Sequence, residues 1–166
     1  YNGLQFYKSM NFKKDNLPVE IYPDRTKMGE AAAKAVVKKI RELLSEKEEI
    51  SMIFAAAPSQ SDFLSILTSD NTVECSRINA FHLDEYIGLK EDAPQLFSHF
   101  LEKSIFGKVP FKKVYYIDGQ ADDYTEECER YAGLLNARIL DIACIGIGEN
   151  GHVAFNDPHV ADFNDP

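Results

Sequence analysis

The chain has 166 residues, 45% of them hydrophobic, which is the length of one ordinary domain with enough apolar mass for a buried core. Its formal net charge of −9, from 27 acidic against 18 basic residues, argues against a nucleic-acid partner, because counterion release needs clustered Lys and Arg; a single phosphate held by backbone N–H groups stays compatible. No apolar run approaches the roughly 18 to 20 residues a bilayer requires, and residues 1–14 lack the apolar core of a signal peptide, so no membrane association is expected and the chain is placed in the cytoplasm.

After a polar lead-in, residues 19–22 form a short candidate strand, and Pro23, Asp24, Arg25 and Thr26 supply turn chemistry with an N-cap at Asp24 or Thr26. A helix follows, in which Met28, Ala32, Val36, Ile40 and Leu43/Leu44 recur at three- and four-residue spacing while Lys34, Lys38, Arg41 and Glu42 take the other faces. A core-packing stripe accounts for that pattern. Residues 50–57 are an apolar run of the kind buried on both faces of a sheet, and it stops at Pro58, Ser59, Gln60, Ser61 and Asp62 before a helical pattern over 63–67. The alternation repeats as a strand near 77–83, a helix near 95–106, a strand over 114–117, a helix near 125–136 and a strand over 139–147.

Alternating strands and helices predict a three-layer α/β domain: a mainly parallel, Rossmann-like sheet with helices on both faces. In such sheets ligands bind beyond the carboxyl ends of the strands, which directs attention to the residues after Ala57, Leu83 and Ile147. The last strand is followed by a polar loop with Pro158 and Pro166 and by no helix, so residues 1–166 read as a single domain that is the N-terminal part of a longer one. Cys75, Cys128 and Cys144 are odd in number and widely spaced, and are read as free thiols.

The segment from Gly146 to Pro158 carries the most chemistry. Gly146, Gly148 and Gly151 match the spacing of a dinucleotide fingerprint, but Asn156, Asp157 and Pro158 interrupt the helix that fingerprint requires, and no acidic residue follows about 20 positions on. No dinucleotide is therefore expected. The glycines let backbone N–H groups approach a ligand closely. His152 lies two residues after Asn150 and five before Asp157, a setting suited to passing a proton near neutrality, with an amide or carboxylate to fix the tautomer. At the other strand end, Asp84 and Glu85 follow His82 and Leu83. The two carboxylates are either a proton-transfer base and its neighbour or polar loop residues, and His82 is read as a histidine of the core or one supporting the site from behind.

The pair FHLDEYIGL and, some 60 residues later, IGIGENGHVAFNDP resembles the glucosamine-6-phosphate deaminase/isomerase family, which shares its fold with 6-phosphogluconolactonases. The resemblance covers about residues 19–166, and the AFN-acidic-Pro ending is similar to the deaminase branch. It implies that Asp84 is the enolisation base moving a proton between C2 and C1 of the opened sugar, that His152 opens the ring, and that Asn150 and Asp157 flank and orient that histidine. The implied partner is a small amino-sugar phosphate, glucosamine 6-phosphate or its galactosamine epimer, converted with loss of ammonia and without metal or organic cofactor. A homo-oligomer stays open. Ser59, Gln60 and Ser61, with Gly148 and Gly151, are the substrate-binding candidates; Ser61 or Asp62 reads equally well as a helix cap.

Three departures from the family pattern stand out. Asn150 replaces the usual Asp, and an amide orients a ring without adding charge; Asp157 replaces the usual Glu, one methylene longer; and residues 55–61 replace a Gly- and Thr-rich sugar-phosphate loop. Competing readings are a related isomerase or lactonase, a non-catalytic sugar-phosphate sensor, and a metal hydrolase built on His152, Asp157, His159 and Asp162. The last is disfavoured because no helical HExxH spacing accompanies those residues.

Overall fold

The computed structural model describes residues 10–154 and 156–162. It opens with an antiparallel hairpin, β1 (Met10–Lys14) and β2 (Leu17–Ile21), joined through Asp15 at φ +53°. A positive φ at a two-residue connection is what matches turn twist to strand twist, and Asp tolerates it. The sequence reading placed only a short strand here and no partner before it. The hairpin pairs Met10 with Ile21 and Phe12 with Val19, so one of its faces is apolar. It stands apart from the main sheet.

Helix α1 (Arg25–Glu46) starts where Asp24 accepts the Lys27 N–H at 2.8 Å. It buries Ala33, Val37, Ile40 and Leu44, so the inward face is rotated by about one residue from the expected stripe: Met28 and Ala32 are exposed and Val36 is half-buried. Its last carbonyls are satisfied from far away in sequence: Arg77 donates to Leu44, Lys47 and Glu48 C=O at 2.9, 2.7 and 2.8 Å. Strand β3 (Ile50–Phe54) is buried along its whole length, Ser51 included, as its mostly apolar run predicts. Helix α2 (Ser61–Ser69), β4 (Ile78–His82), α3 (Phe97–Leu101, running into a π-helical turn over Glu102–Phe106), β5 (Lys113–Tyr115), α4 (Tyr124–Asn136) and β6 (Ile142–Cys144) follow.

The main sheet is wholly parallel in the order β5-β4-β3-β6. The chain moves outward from β3 to β5 and then crosses back to the other side of β3. Right-handed crossovers that reverse direction must change face. Accordingly α2 and α3 pack with α1 against Met52, Phe54, Ile78 and Ala80, while α4 presents Tyr131, Leu134 and Leu135 to Ile53, Phe81 and Tyr115 on the opposite face. Three layers result, as expected.

Several predicted elements are shorter than read: the run over 50–57 pairs as a strand only over Ile50–Phe54, and the strand expected over 114–117 is Lys113–Tyr115. The helix expected near 95–106 begins at Phe97, where α3 is capped from another loop. The strand expected over 139–147 is confined to Ile142–Cys144. Asp141 starts the pairing, its backbone donating to Ser51 C=O and its carboxylate accepting Ser51 N–H, both at 2.9 Å. Ile139 and Leu140 precede that register and are exposed; after Cys144, β3 turns away at Pro58 and offers no partner. Among the described residues no helix is long and apolar enough to cross a membrane.

Candidate active site

The strand order creates a switch point between β3 and β6, where chains leaving adjacent parallel strands diverge and open a crevice. The ladder runs on past both strand ends, through Ala55 N–H to Cys144 C=O at 2.9 Å and Leu83 N–H to Phe54 C=O at 3.0 Å, so the three loops that follow leave side by side. They enclose a cleft of about 370 Å3. Its lining includes Ser59 from the β3 loop, Asp84 and Tyr86 from the β4 loop, and Gly148, His152 and Asp157 from the β6 loop.

The β6 loop is shaped by its own turn. Gly151 N–H donates to Gly148 C=O at 3.0 Å and Gly148 N–H to His152 C=O at 2.9 Å, with Gly151 at φ +88°. A glycine in the left-handed position after a tight turn is the natural solution for a three-residue hairpin loop. Gly148 serves differently. A Cβ built on it would fall inside the His152 imidazole, 2.6 Å from Nε2 and nearer still to Cε1 and Nδ1, so the missing side chain is the seat of the ring. Ala154 also adopts a positive φ, +53°, which is unusual for a residue with a Cβ and places backbone strain in the wall of the cleft.

Asn150 fixes the chemistry of that ring. Its Nδ2 donates to Asp157 Oδ1 at 2.9 Å and its Oδ1 accepts the His152 backbone N–H at 3.2 Å, which together determine which way the amide points. The same Oδ1 lies 2.5 Å from His152 Nδ1, and Asp157 Oδ1 lies 3.5 Å from it. Amide and carboxylate oxygens only accept, so Nδ1 carries a proton, and in the neutral ring Nε2 keeps its lone pair. Asn150 and Asp157 thus make the imidazole a proton acceptor through Nε2.

Residue type alone left the two carboxylates undivided, and the resemblance singled out Asp84; in the structure their surroundings differ. Glu85 turns inward, its side chain 1% exposed. There it accepts N–H groups of Tyr86, Phe97 and Ser98, each at 2.9 Å. Burial alone would raise the Glu85 carboxyl, but these hydrogen bonds outweigh it and hold it below the usual carboxylate range. Asp84 faces the cleft and accepts none of these donors. Burial pushes its carboxyl up, and the adjacent Glu85 charge pushes it further. A half-buried carboxyl with raised pKa is a stronger base than one in open solvent.

His82 is fully buried at the end of β4, and neither ring nitrogen makes a hydrogen bond of normal geometry; Glu85 Oε2 lies 3.8 Å from Nε2. Burial lowers it to about 4, against the opposing pull of Glu85, so it is neutral near pH 7. The expected core or supporting position is where it sits.

The substrate-binding candidates divide. Ser59 lines the cleft and Gly148 both lines it and seats the histidine, whereas Gly151 shapes the turn from outside the lining. Gln60 is buried in the turn over Pro58–Gln60, beside Gly146, and Ser61 opens α2; neither lines the cleft. Neither Ser61 nor Asp62 is the N-cap of α2: that position is Gln60, whose side chain makes no capping bond, and Asp62 instead pairs with Arg25, which also reaches Pro58 C=O. The sequence reading missed Tyr86 and Phe97 in the cleft wall, although Tyr86 sat within the singled-out segment. Among the described residues no three His, Cys, Asp or Glu side chains converge in a group that would hold a metal ion.

Residues 23–158 match the family model described as glucosamine-6-phosphate isomerases/6-phosphogluconolactonase. The chain is 36% identical over 140 residues to glucosamine-6-phosphate deaminases of Bacillus thuringiensis (strain Al Hakam) and Bacillus anthracis (strain CDC 684 / NRRL 3495), covering 84% of this chain and 53% of each relative. It therefore spans about half the length of the curated relatives it matches. Among solved structures, a monomeric glucosamine-6-phosphate deaminase superposes with TM-score 0.72 at 26% identity, over 81% of this chain and 57% of the other. The 6-phosphogluconolactonase from Plasmodium vivax gives TM-score 0.77 at 17% identity, over 90% and 55%, a likeness of fold.

Proposed function

The chain belongs to the glucosamine-6-phosphate isomerase/6-phosphogluconolactonase family, and from that premise we propose that its protein deaminates glucosamine 6-phosphate to fructose 6-phosphate and ammonia. The observation that carries the reading is the meeting of Asp84 and His152 in one cleft at the switch point, with the imidazole held in the tautomer that leaves Nε2 free. The 36% identity to glucosamine-6-phosphate deaminases supports that branch.

In this mechanism His152 Nε2 takes the proton of the anomeric hydroxyl and returns one to the ring oxygen, opening the pyranose. Asp84 removes the proton on C2, made acidic by the new C1 aldehyde, and delivers it to C1. The C1 oxygen takes up a proton as the C1–C2 enolamine forms; when C1 is protonated, the enol π electrons make the new C–H bond, the nitrogen lone pair closes a C=N bond at C2 and the nitrogen sheds a proton, leaving a C1 hydroxyl and a C2 imine. Water adds to that imine and ammonia departs, leaving the C2 ketone, so one water is consumed for each ammonia released. Asn150 and Asp157 hold the imidazole in register through each exchange, and the Ser59 hydroxyl is placed to meet sugar hydroxyls. Every step is acid–base chemistry of these side chains.

The test follows ammonia release by the complete protein from glucosamine 6-phosphate, with the galactosamine epimer and Asp84→Asn alongside. Ammonia from one sugar, lost by at least about a hundredfold in the mutant, is the expected outcome. Binding without turnover, seen as thermal stabilisation by the sugar phosphate in a protein that releases no ammonia, would replace the enzyme with a sensor. Full activity in Asp84→Asn would remove the base.

A further inference from the structure

The Glu85 side chain, after β4, is 1% exposed, and its contacts join two parts of the cleft wall. Its Oε1 accepts the N–H groups of Tyr86, which follows it, and of Phe97, which opens α3 twelve residues later; its Oε2 accepts that of Ser98. The rings of Tyr86 and Phe97 lie 4.6 Å apart at 45°, and both face the cleft. The loop is also held from behind. Gly88 N–H donates to Gly119 C=O at 3.1 Å, and a side chain on Gly119 would run into Tyr86 C=O and lie 3.1 Å from Glu85 Cγ.

We propose that Glu85 is a positioning residue for the deamination, fixing Tyr86 and Phe97 as an aromatic wall for the sugar and keeping a permanent negative charge beside Asp84. This rests on the reading of Asp84 as the base. An aromatic face suits a sugar ring, whose C–H groups stack on it while the hydroxyls turn to polar partners. A carboxylate buried this far is retained only with its lone pairs satisfied, and here the satisfying donors are the backbones of the wall itself. The two neighbours are thereby driven in opposite directions, Glu85 towards the ionised form and Asp84 towards the protonated one, the arrangement that distinguishes a structural anion from a working base. The other ionisable groups around them are His82 behind, neutral near pH 7, and His152 and Asp157 across the cleft.

The experiment measures kcat and KM against pH, and thermal melting, for the complete protein and for Glu85→Gln, Glu85→Ala, Phe97→Leu and Asp84→Asn. Glu85→Gln keeps an acceptor oxygen and loses the charge, so the acid limb of kcat moves to lower pH. Glu85→Ala frees both aromatic backbones and raises KM about tenfold, the cost of ordering two side chains on binding. Phe97→Leu leaves Glu85 in place, raises KM by a similar factor and does not move the acid limb; it keeps the wall testable if the Glu85 variants fail to fold. Lowered melting temperatures with KM and acid limb both unchanged would mean a purely structural Glu85 and overturn the proposal, with Asp84 still the base provided that Asp84→Asn is inactive. An active Asp84→Asn would overturn the base assignment, and the positioning role with it.

Discussion

Gly148→Ala isolates the seat of the proposed proton carrier. The Cβ would sit 2.6 Å from His152 Nε2 and closer to two other ring atoms, where ordinary contact begins at 3.4 Å, so the imidazole must retreat by about 1 Å or more. Gly148 is not among the positive-φ glycines, so alanine brings no backbone strain of that kind, and the three atoms nearest the new Cβ all belong to the ring at the end of a movable side chain. The fold should survive. A misplacement of about 1 Å in a reacting group costs on the order of a hundredfold in rate, and we expect kcat for ammonia release from the complete protein to fall by that factor with melting nearly unchanged. Gly133→Ala is the control: it lies in α4 with nothing within 4 Å of the new Cβ, and should stabilise by about 0.5–1 kcal/mol without altering kcat. Wild-type turnover in Gly148→Ala would refute the placement of His152 over this glycine.

Asp84→Asn should separate stability from activity. Because the folded carboxyl is raised above its ordinary value of 3.8, the stability it contributes is complete below that value and is lost as pH rises through the folded value. The mutant should therefore melt at higher temperature than wild type at pH 7 and at nearly the same temperature below about pH 4, as followed by circular dichroism; a mutant less stable at neutral pH would contradict the crowding of Asp84 by burial and Glu85. Arg77→Ala should cost about 2 kcal/mol in denaturant titration, since it strips donors from three carbonyls at the end of α1. A loss below about 0.5 kcal/mol would show that water replaces them.

Much of the architecture was legible because it depends on local periodicity. The three- and four-residue spacing marked α1 as a helix without fixing its inward face, and the mostly apolar run of β3 reported its burial, both through neighbours close in the chain. The N-terminal hairpin went unread except for a strand over 19–22: its signal, Asp15-Asn16 between Met10, Phe12 and Val19, Ile21, is obscured by the Lys and Pro residues around the turn. The ends of β6 were not legible, because they are set by where β3 stops offering a partner.

The same division runs through the site. Residue types and their place at strand ends marked Asp84, Asn150, His152 and Asp157 as candidates, because proton chemistry needs those side chains whatever surrounds them. That the β3 and β6 loops share a crevice, that Asp84 faces it while Glu85 turns in to cap α3, that Asn150 orients His152, and that Gln60 and Ser61 point elsewhere were decided by strand order and by donors up to thirteen residues away in the chain. Sequence specifies what a side chain can do; its direction at a strand end is set by the register of the sheet and by which distant groups satisfy its lone pairs.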